Sequence, residues 1–444
     1  MKKQPKIKVG VLAADKIQFE LSGTFTCNSG KQYSGTFGAT AKDGAIIIEN
    51  DTGKSIKSSS FLLSPLDNDS FFELKNVTIG INFHWEQQEN QRFKGDLKLI
   101  SENDNVRAIN IIGLEEYLKS VISSEMSANC SMALLKAHAV ISRSWLLAQI
   151  EKTKSLRTEG GLYQTSFETD SEIIRWYDRE DHLNFDVCAD DHCQRYQGIT
   201  KIHSEKAKQA VEVTIGEVLS LEGKICDARF SKCCGGLTEN FENVWEPIRH
   251  RYLTKIVDSE FGDTTCVDLR CEDEAELWIK NRPHAFCNTT NKDVLSQVLP
   301  DFDQKTMGFY RWKVEYTQQE LSALIKRKSG IDFGEIIALK VLKRGHSSRI
   351  IKLEIEGTQK KIIVGKELEI RKWLSPSHLY SSAFVVEYPV IDNGIPQKFV
   401  LTGAGWGHGV GLCQIGAAVM GEKGYSYSDI LTHYFKNAEL KKYY

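Results

Sequence analysis

The N-terminal part of the chain alternates between apolar and polar positions in short runs. Segments such as KIKVGVL, GAIIIEN and FKGDLKLI show the period of two that is typical of half-buried strands. Turn residues separate these runs at 50–53 and at 67–69. The pattern predicts a β-rich domain over residues 1–105, of the sandwich or barrel type, and we find no group of catalytic side chains in it.

The period changes to that of a helix at Leu114, where apolar positions three or four apart predict a short amphipathic helix. Glu125 lies on the apolar face of this helix if the helix continues that far. Ser131 is a suitable N-cap for a second helix, which has an apolar stripe from Leu134 to Ala148. Together the two segments predict a helical hairpin.

A carboxylate on an apolar helix face has two interpretations. Burial without a partner makes a carboxyl group keep its proton near neutral pH, which a general acid requires. The alternative is a structural glutamate whose charge is satisfied inside the hairpin, and the pattern by itself favours this alternative. Lys136 and Arg143 share another face of the second helix, because they are seven positions apart.

Cysteine and histidine are concentrated between residues 181 and 198. His182, Cys188, His192 and Cys193 lie within twelve positions, and this combination of ligands is typical of zinc sites. With three or four protein ligands the ion would be mainly structural. The alternative is two free buried cysteines beside two surface histidines.

The segment 229–246 combines two adjacent glycines with polar side chains and a tryptophan. Gly235 and Gly236 allow a sharp turn or a close approach to a ligand, and Ser231 and Glu239 supply polar groups beside them. Trp245 offers a flat apolar surface on which a sugar could stack. The alternative is a tight turn beside a core tryptophan.

The remaining chain is predicted as a partly helical insert over 257–335, followed by antiparallel strands over 336–370 and a glycine-rich segment. Glycine occupies every second position from Gly403 to Gly411, so an extended segment would have one face of bare backbone for a polymer to lie against. Trp406 and His408 would occupy the other face, and Gln414 begins a helix of small residues. A buried crossing of glycine-rich strands is the alternative.

Composition excludes several classes of protein. The chain has 444 residues, 41% hydrophobic and 26% charged, which is typical of a soluble globular protein with two or three packed units. A net charge of −2 gives no indication of nucleic-acid binding, and no apolar run has membrane-spanning length. No signal peptide is visible at the N-terminus. Because the count of eleven cysteines is odd, at least one is unpaired or binds another group.

Three motifs taken together resemble the SpoIID/LytB family, the group of sporulation stage II protein D and the amidase enhancers. They are LEEYLKSVISSEM with ALLKAHAVISRSW, then FSKCCGGLTENFENVW, then GWGHGVGLCQIGA, in the family's order. The resemblance spans most of residues 93–435. There are departures, since His138 stands where glutamine is more usual and Cys233, Cys234 and Cys413 replace residues like serine or threonine.

The resemblance implies a lytic transglycosylase of peptidoglycan, with Glu125 of the S-E-M motif as the catalytic acid and base. It also implies zinc bound by His182, Cys188 and Cys193, with His192 as a fourth candidate. Chemistry and resemblance together suggest further roles around the substrate. Lys136 and Arg143 would hold or tune Glu125, or hold carbonyl groups of the substrate. The cleft would be lined by Ser231, Gly235, Gly236 and Glu239, and sugar would be contacted by Trp406, His408 and Gln414. His408 is also a candidate helper in proton transfer, and a satisfied core histidine is the alternative.

The expected fold class is α+β, with a β-rich N-terminal region before a mixed α/β catalytic core that has a helical hairpin and antiparallel strands. The predicted segments are 1–105, a catalytic region over 106–256, the insert over 257–335, and a C-terminal region over 336–444 that completes the cleft. The expected partners are glycan strands and an N-acetylmuramoyl-L-alanine amidase, in the cell envelope. Alternatives are a cell-wall-binding amidase enhancer without catalysis, and a zinc hydrolase with an open metal site.

Overall fold

The computed structural model of the protein describes residues 3–80, 86–127, 130–159, 164–176, 182–190, 193–202, 204–262, 267–299 and 308–444. The chain forms two compact units. Unit 1 contains Met1–Ala128, Arg179–Glu217 and Lys442–Tyr444, and unit 2 contains Asn129–Asp178 and Val218–Lys441. Each unit contains residues from more than one of the predicted segments. The boundaries of the predicted segments stay predictions. The α+β class is confirmed, with 25% helix and 39% strand.

The strands and helices of the described residues are numbered in chain order. The strands are β1 (Lys6–Ala14), β2 (Lys16–Cys27), β3 (Gln32–Lys42), β4 (Ala45–Asn50), β5 (Ser55–Ser58), β6 (Ser60–Pro65), β7 (Phe71–Ile79), β8 (Gln87–Phe93), β9 (Asp96–Glu102), β10 (Asn105–Gly113), β11 (Ser166–Glu168), β12 (Glu172–Arg175), β13 (Val187–Cys188), β14 (Glu217–Leu221), β15 (Lys224–Ile225), β16 (Phe230–Ser231), β17 (Arg311–Thr317), β18 (Ile336–Arg344), β19 (Ile350–Gly357), β20 (Lys361–Gly365), β21 (Phe384–Asp392), β22 (Ile395–Ala404), β23 (Leu412–Cys413) and β24 (Glu439–Lys442). The helices are α1 (Leu114–Glu125), α2 (Met132–Glu159), α3 (Glu205–Val213), α4 (Phe241–Val244), α5 (Glu272–Lys280), α6 (Lys292–Val298), α7 (Gln318–Ser329), α8 (Glu367–Trp373), α9 (Gln414–Glu422) and α10 (Tyr427–Tyr434).

Unit 1 is built on one eleven-stranded sheet with the order β13-β1-β10-β9-β6-β2-β3-β4-β5, while β7 pairs with β2 and β8. The alternation seen in the sequence becomes alternation of burial, since Ile17, Phe19 and Leu21 of β2 are all buried. Phe19 pairs with Phe37 of β3, and their rings stack 5.5 Å apart. The β-rich N-terminal region is thus confirmed, and the short parallel strand β13 brings the Cys/His segment to its edge.

Unit 2 contains four smaller sheets. Strands β11-β12-β20-β19-β18 form the largest, β17-β22-β21 and β15-β14-β24 form two more, and β16 pairs with β23 in parallel. Helices α7 and α8 pack on the first two sheets, and Trp312, Ile355 and Trp373 belong to their common apolar core. The β16–β23 pair aligns Ser231 with Cys413, and so joins the segment 229–246 to the end of the glycine-rich segment.

Both helices of the predicted hairpin are present. Helix α1 begins at Leu114 and buries the apolar positions that the pattern indicated, and Glu125 is its last residue. The hydroxyl of Ser131 accepts a hydrogen bond from the amide of Leu134 at 3.2 Å, which confirms Ser131 as the cap of α2. Helix α1 belongs to unit 1 and α2 to unit 2, and residues 128 and 129 between them lie outside the described residues.

One predicted strand is wrong at its end. The antiparallel set β18, β19 and β20 forms as expected, but the chain after Gly365 enters helix α8 and does not continue as a strand. The alternation in KELEI misled the prediction because short apolar runs fit both periods. The apolar residues Ile370, Trp373 and Leu374 have the spacing of a helix, and all three are buried on one face of α8.

Among the helices in the described part of the chain, none combines the length and the apolar character that crossing a lipid bilayer requires.

Candidate functional site

The carboxylate of Glu125 lies at the C-terminal end of α1 in unit 1. Its side chain is half-buried, not enclosed in the core as a carboxylate on the apolar face would be. The backbone N–H of Arg195 donates a hydrogen bond to Oε1 of Glu125 at 3.2 Å. The predicted partner therefore exists, and it is a neutral amide. A carboxylate held by an amide and open on one side can exchange a proton with a ligand.

The segment that supplies this amide is fixed to α1 by side chains. Tyr117 stacks on Tyr196 with ring centroids 5.0 Å apart, and the Tyr117 hydroxyl donates to Oε1 of Gln194 at 3.4 Å. The Gln197 amide donates to the Ser120 hydroxyl at 3.1 Å. Burial raises the pKa of both tyrosines far above the usual range, so both hydroxyls stay protonated. The chain on both sides of Arg195 is thereby held in place.

Three of the four predicted zinc ligands come together beside this segment. The ligand atoms of His182, Cys188 and Cys193 all lie within 4.8 Å of one another, and Nε2 of His182 is 3.5 Å from Sγ of Cys193. Sulfur and nitrogen ligands of a tetrahedral zinc ion lie about 3.6 Å apart, so the geometry and the donors fit zinc. His192 lies outside the described residues. The metal itself stays a prediction.

The two basic residues predicted on α2 have different surroundings. Lys136 is half-buried, and its ammonium group lies over the ring of Tyr427, 5.7 Å from the centroid. Arg143 has no exposed surface, and its guanidinium donates to the carbonyl oxygen of Ala139 at 3.4 Å. Direct contact with a substrate, as predicted for Arg143, needs an exposed side chain, so this structure does not support that role.

Gln414 is part of an internal network and not a surface contact. It is 2% exposed, and its Nε2 lies 3.1 Å from Nε2 of His138. Nδ1 of His138 lies 3.2 Å from the Ser142 hydroxyl. The histidine that departs from the family pattern thus joins α2 to α9 within the core. Gln414, His138 and Ser142 are all buried, and the contact of Gln414 with sugar stays a prediction.

Glu239 is likewise structural. Its carboxylate has no exposed surface and accepts hydrogen bonds from the amides of Asn240, His346 and Ser347, from Nδ2 of Asn243 and from the Ser347 hydroxyl. Five donors satisfy most of the acceptor capacity of a carboxylate. In this structure Glu239 therefore fixes the loop around Ser347, and its position in a cleft stays a prediction.

The glycine-rich segment does not form the extended strand that the alternation suggested. Strand β22 ends at Ala404, and Gly405, Gly407, Gly409 and Gly411 all have φ between 73° and 91°, which is the left-handed region. The bare side of the backbone is occupied by the protein itself. A Cβ on Gly409 would lie 2.4 Å from Cζ of Arg349. The alternative of a buried glycine-rich crossing is confirmed, and the open backbone face for a polymer is wrong.

The glycines of the segment 229–246 serve the same packing. A Cβ on Gly235 would lie 3.0 Å from the Gly405 nitrogen, and one on Gly236 would lie 2.9 Å from the Trp278 ring. Ser231 is buried as well. The two glycines therefore allow two backbone segments to approach closely, and the cleft lining by Ser231, Gly235 and Gly236 stays a prediction.

Trp406 and His408 are partly exposed as residues, and their rings pack against other aromatic side chains. Trp406 stacks on Phe309 with ring centroids 4.6 Å apart, and His408 packs against Trp245 at 4.7 Å. The Val410 amide donates to Nδ1 of His408 at 3.0 Å. Burial of the imidazole, with nearby arginines, holds the pKa of His408 well below its usual range, so the ring is neutral. The predicted contact of these two residues with sugar stays a prediction.

Two features of unit 2 were not predicted as sites. Arg349 is 1% exposed, and it donates to the carbonyl oxygen of Gly407 at 2.9 Å and to the Ser347 hydroxyl at 2.9 Å. The second feature is a buried group of cysteines with Asp258. The sequence showed Cys233, Cys234 and Cys413 as departures from the family pattern, and this was the available indication that these positions have a role of their own.

Two family models match different parts of the chain. A family model described as Stage II sporulation protein (SpoIID) matches residues 102–221, and a domain of unknown function, DUF8618, matches residues 239–411. The first match contains Glu125 and the Cys/His group. The second contains Glu239, Arg349, Trp406 and His408.

Three curated relatives cover most of the chain. An uncharacterized protein of Brachyspira hyodysenteriae is 24% identical over 351 residues, which are 79% of this chain and 73% of that protein. Stage II sporulation protein D of Bacillus amyloliquefaciens is 25% identical over 331 residues, 74% of this chain and 75% of that protein. The amidase enhancer of Bacillus subtilis is 24% identical over 331 residues, 73% of this chain and 40% of that protein.

Proposed function

We propose that the chain, whose residues 102–221 match the SpoIID family model, is a peptidoglycan lytic transglycosylase. Relatives named Stage II sporulation protein D and amidase enhancer support a cell-wall-related role. The proposed reaction cleaves the bond between N-acetylmuramic acid and N-acetylglucosamine in glycan strands of the cell envelope. The products are strands with 1,6-anhydro-muramic acid ends. The observation that supports this proposal is that Glu125 is only partly buried at the end of α1 and that its Oε1 accepts a hydrogen bond from the Arg195 amide.

One carboxyl group is sufficient for this reaction. The protonated Glu125 gives its proton to the glycosidic oxygen as the bond from that oxygen to C1 of the muramic acid breaks. The C6 hydroxyl of the same sugar then bonds to C1, and the Glu125 carboxylate takes the hydroxyl proton. A glycoside hydrolase normally needs two carboxyl groups, because water must be activated or a covalent intermediate formed. Here the substrate supplies the nucleophile. Glu125 donates one proton and later accepts one, so it returns to its starting state.

The Arg195 amide positions the reacting carboxyl group in this proposal. Its hydrogen bond to Oε1 limits rotation of the Glu125 side chain, which leaves Oε2 to face the scissile bond. Among the described residues, Oε1 alone has a hydrogen-bond donor within range.

Zinc in this proposal is structural. His182, Cys188 and Cys193 would hold it, and the ion would cross-link the segment that continues into Arg195. Cys193 is two positions before Arg195, so a fixed Cys193 limits where the amide can lie. The ion supplies no reacting group in this scheme; its contribution is to keep the chain folded beside Glu125.

The test is Glu125→Gln, which keeps the size of the side chain and removes proton transfer. Denuded glycan strands are incubated with each protein, and the products are analysed by liquid chromatography and mass spectrometry. We expect wild-type protein to release anhydro ends, and the variant to bind glycan and release none. Glu116→Gln is the matched control, because Glu116 lies on the same helix and is exposed in a salt bridge with Lys119. Release by Glu125→Gln at the wild-type rate would overturn the proposal.

A second candidate is a cell-wall-binding protein that stimulates an amidase without cleaving glycan itself. The name of the Bacillus subtilis relative, amidase enhancer, favours it. In that case wild-type protein would release no anhydro ends, while both it and Glu125→Gln would increase the rate of an N-acetylmuramoyl-L-alanine amidase on intact cell wall.

A further inference from the structure

A second group of potential metal ligands lies in the core of unit 2. The Cys–Asp cluster consists of Cys234, Asp258, Cys287 and Cys413, and its four ligand atoms all lie within 4.8 Å of one another. The exposed fractions of these residues are 2%, 0%, 1% and 0%. Three thiols and a carboxyl group at one buried point need an explanation, because a buried charge requires a partner and a buried polar group requires hydrogen bonds. We propose that these four side chains bind one zinc ion in a structural site.

The spacing of the ligands fits one ion. Sγ of Cys234 and Sγ of Cys287 are 3.6 Å apart. Two thiolates on a tetrahedral zinc ion with bonds of about 2.3 Å lie about 3.8 Å apart. A disulfide would need about 2.05 Å between the two sulfur atoms. A cluster of several iron atoms would spread its ligands over a larger distance, since each ligand binds a different iron.

Hydrogen bonds around the cluster point at the atoms that would carry negative charge. The Tyr434 hydroxyl donates to one carboxylate oxygen of Asp258 at 2.6 Å, and the Cys287 amide donates to the other at 2.9 Å. The Cys234 amide donates to Sγ of Cys413 at 3.2 Å. Donors of this kind orient ligands and stabilise them in metal sites. Space for the carboxylate and the tyrosine depends on Gly416, where a Cβ would lie 2.3 Å from the hydroxyl.

The donor set selects the metal. Thiolates are soft ligands and exclude calcium and magnesium, and a carboxylate in the same shell favours zinc over copper(I). Four buried protein ligands leave no position for water or substrate, so the site is closed.

The charge of the site is offset by nearby arginines. Three thiolates, one carboxylate and Zn²⁺ have a net charge of −2. Arg349 and Arg311 lie close enough to offset it, since they donate to the carbonyl oxygens of Cys234 and Gly235 at 3.2 and 3.1 Å.

The ion would join four segments that are distant in sequence. Cys234 follows β16, Asp258 follows the bridge between Leu237 and Val257, Cys287 lies between α5 and α6, and Cys413 ends β23. Residue Cys233, next to Cys234, exchanges two backbone hydrogen bonds with Trp406. The zinc site would therefore fix the base of the glycine-rich segment.

The test counts zinc in purified full-length protein by plasma mass spectrometry, for the wild type and three variants. The Cys234→Ser/Cys287→Ser variant should contain one zinc ion per chain fewer than wild type. Cys226→Ser is the matched control, because Cys226 is also buried in unit 2 and lies outside the cluster, and it should lose none. The Cys188→Ser/Cys193→Ser variant should retain the ion of unit 2, so failure of the first zinc site and failure of this one are distinguishable.

The Cys188→Ser/Cys193→Ser variant gives an answer even if the Cys234→Ser/Cys287→Ser variant does not fold. Native mass spectrometry of the Cys188→Ser/Cys193→Ser variant should show one remaining zinc ion, and its zinc X-ray absorption should show three sulfur ligands and one oxygen. Absence of this ion would overturn the proposal. Peptide mapping under non-reducing conditions that finds a disulfide between Cys234 and Cys287 would overturn it as well.

Discussion

The backbone nitrogen of Arg195 lies 3.2 Å from Oε1 of Glu125, which joins the last residue of α1 to the segment that follows Cys193. The donor is a main-chain group, so it does not depend on which side chain residue 195 has. It depends on the path of the chain from Cys193 to Tyr196. A substitution that moves the chain between Cys193 and Tyr196 should therefore change the position of the Glu125 carboxylate, even if the substituted residue does not contact Glu125.

Replacement of Arg195 by proline should lower the rate of anhydro-end formation, because proline has no N–H group to donate. Loss of a hydrogen bond to a charged group costs about 1.5 to 3 kcal/mol, which corresponds to a decrease of roughly 10- to 100-fold. The measurement is the initial rate on denuded glycan strands, with circular dichroism to confirm the fold.

Arg195→Ala is the matched control for the proline variant. It removes the side chain and keeps the amide, so it reports any contribution of the guanidinium alone. We expect Arg195→Ala to be at least about tenfold more active than Arg195→Pro, given the value of one such bond. Equal rates for the two variants would show that the amide has no part in the reaction.

Substitution of Gly409 by alanine should destabilise unit 2 by more than the same change at Gly394. Both glycines are in the left-handed region, with φ of 75° and 81°, so the backbone cost is similar. A Cβ on Gly409 would lie 2.4 Å from Cζ of the buried Arg349, whereas Gly394 has no atom within 4 Å of that position. Overpacking of this kind typically costs about 1 to 3 kcal/mol.

The comparison is made by urea denaturation, which gives the free energy of unfolding of each variant. The difference between Gly409→Ala and Gly394→Ala isolates the packing contribution, because the strain in φ is common to both. If the two variants were equally stable, the glycine-rich segment would have room for side chains, and an open backbone face would again be possible.

His378 should make unit 2 less stable in acid. Burial, together with the charges of Arg371, Lys328 and Lys372, lowers the pKa of His378 to about 4 in the folded protein. An unfolded histidine has a pKa of about 6.5, so between these values the unfolded state binds more protons. The contribution to stability is complete above pH 6.5 and decreases as the pH falls from 6.5 to about 4. With allowance for partial exposure it amounts to about 2 kcal/mol.

The measurement is the free energy of unfolding at several pH values between 7 and 4. His378→Gln has no titrating side chain, so its stability should fall less steeply than that of wild type over this range. His284→Gln is the control, because His284 is exposed, and its profile should follow wild type. Parallel curves for wild type and His378→Gln would contradict the prediction.

The local elements could be predicted from the sequence because their causes are local. Periodicity indicated the strands of unit 1 and both helices, α1 and α2, and the cap at Ser131 needed only neighbouring residues. His182, Cys188 and Cys193 could be grouped because they lie within twelve positions. Ligands that are so near to one another in sequence can meet without long-range packing. Their spacing was therefore sufficient to predict the group.

The tertiary structure decided where the polar residues of unit 2 lie. Chemistry and resemblance suggested that Glu239 lines a cleft and that Gln414 contacts sugar, whereas both residues are buried in the structure. Burial depends on which segments pack over a residue, and those segments are far away in the chain. The same reason applies to the Cys–Asp cluster, in which Cys234 and Cys413 are 179 positions apart. The alternating glycines were visible in the sequence, whereas their left-handed backbone follows from Arg349 and the segment 229–236 packing against them. Short-range periodicity determines elements, and only long-range packing determines which of their side chains remain accessible.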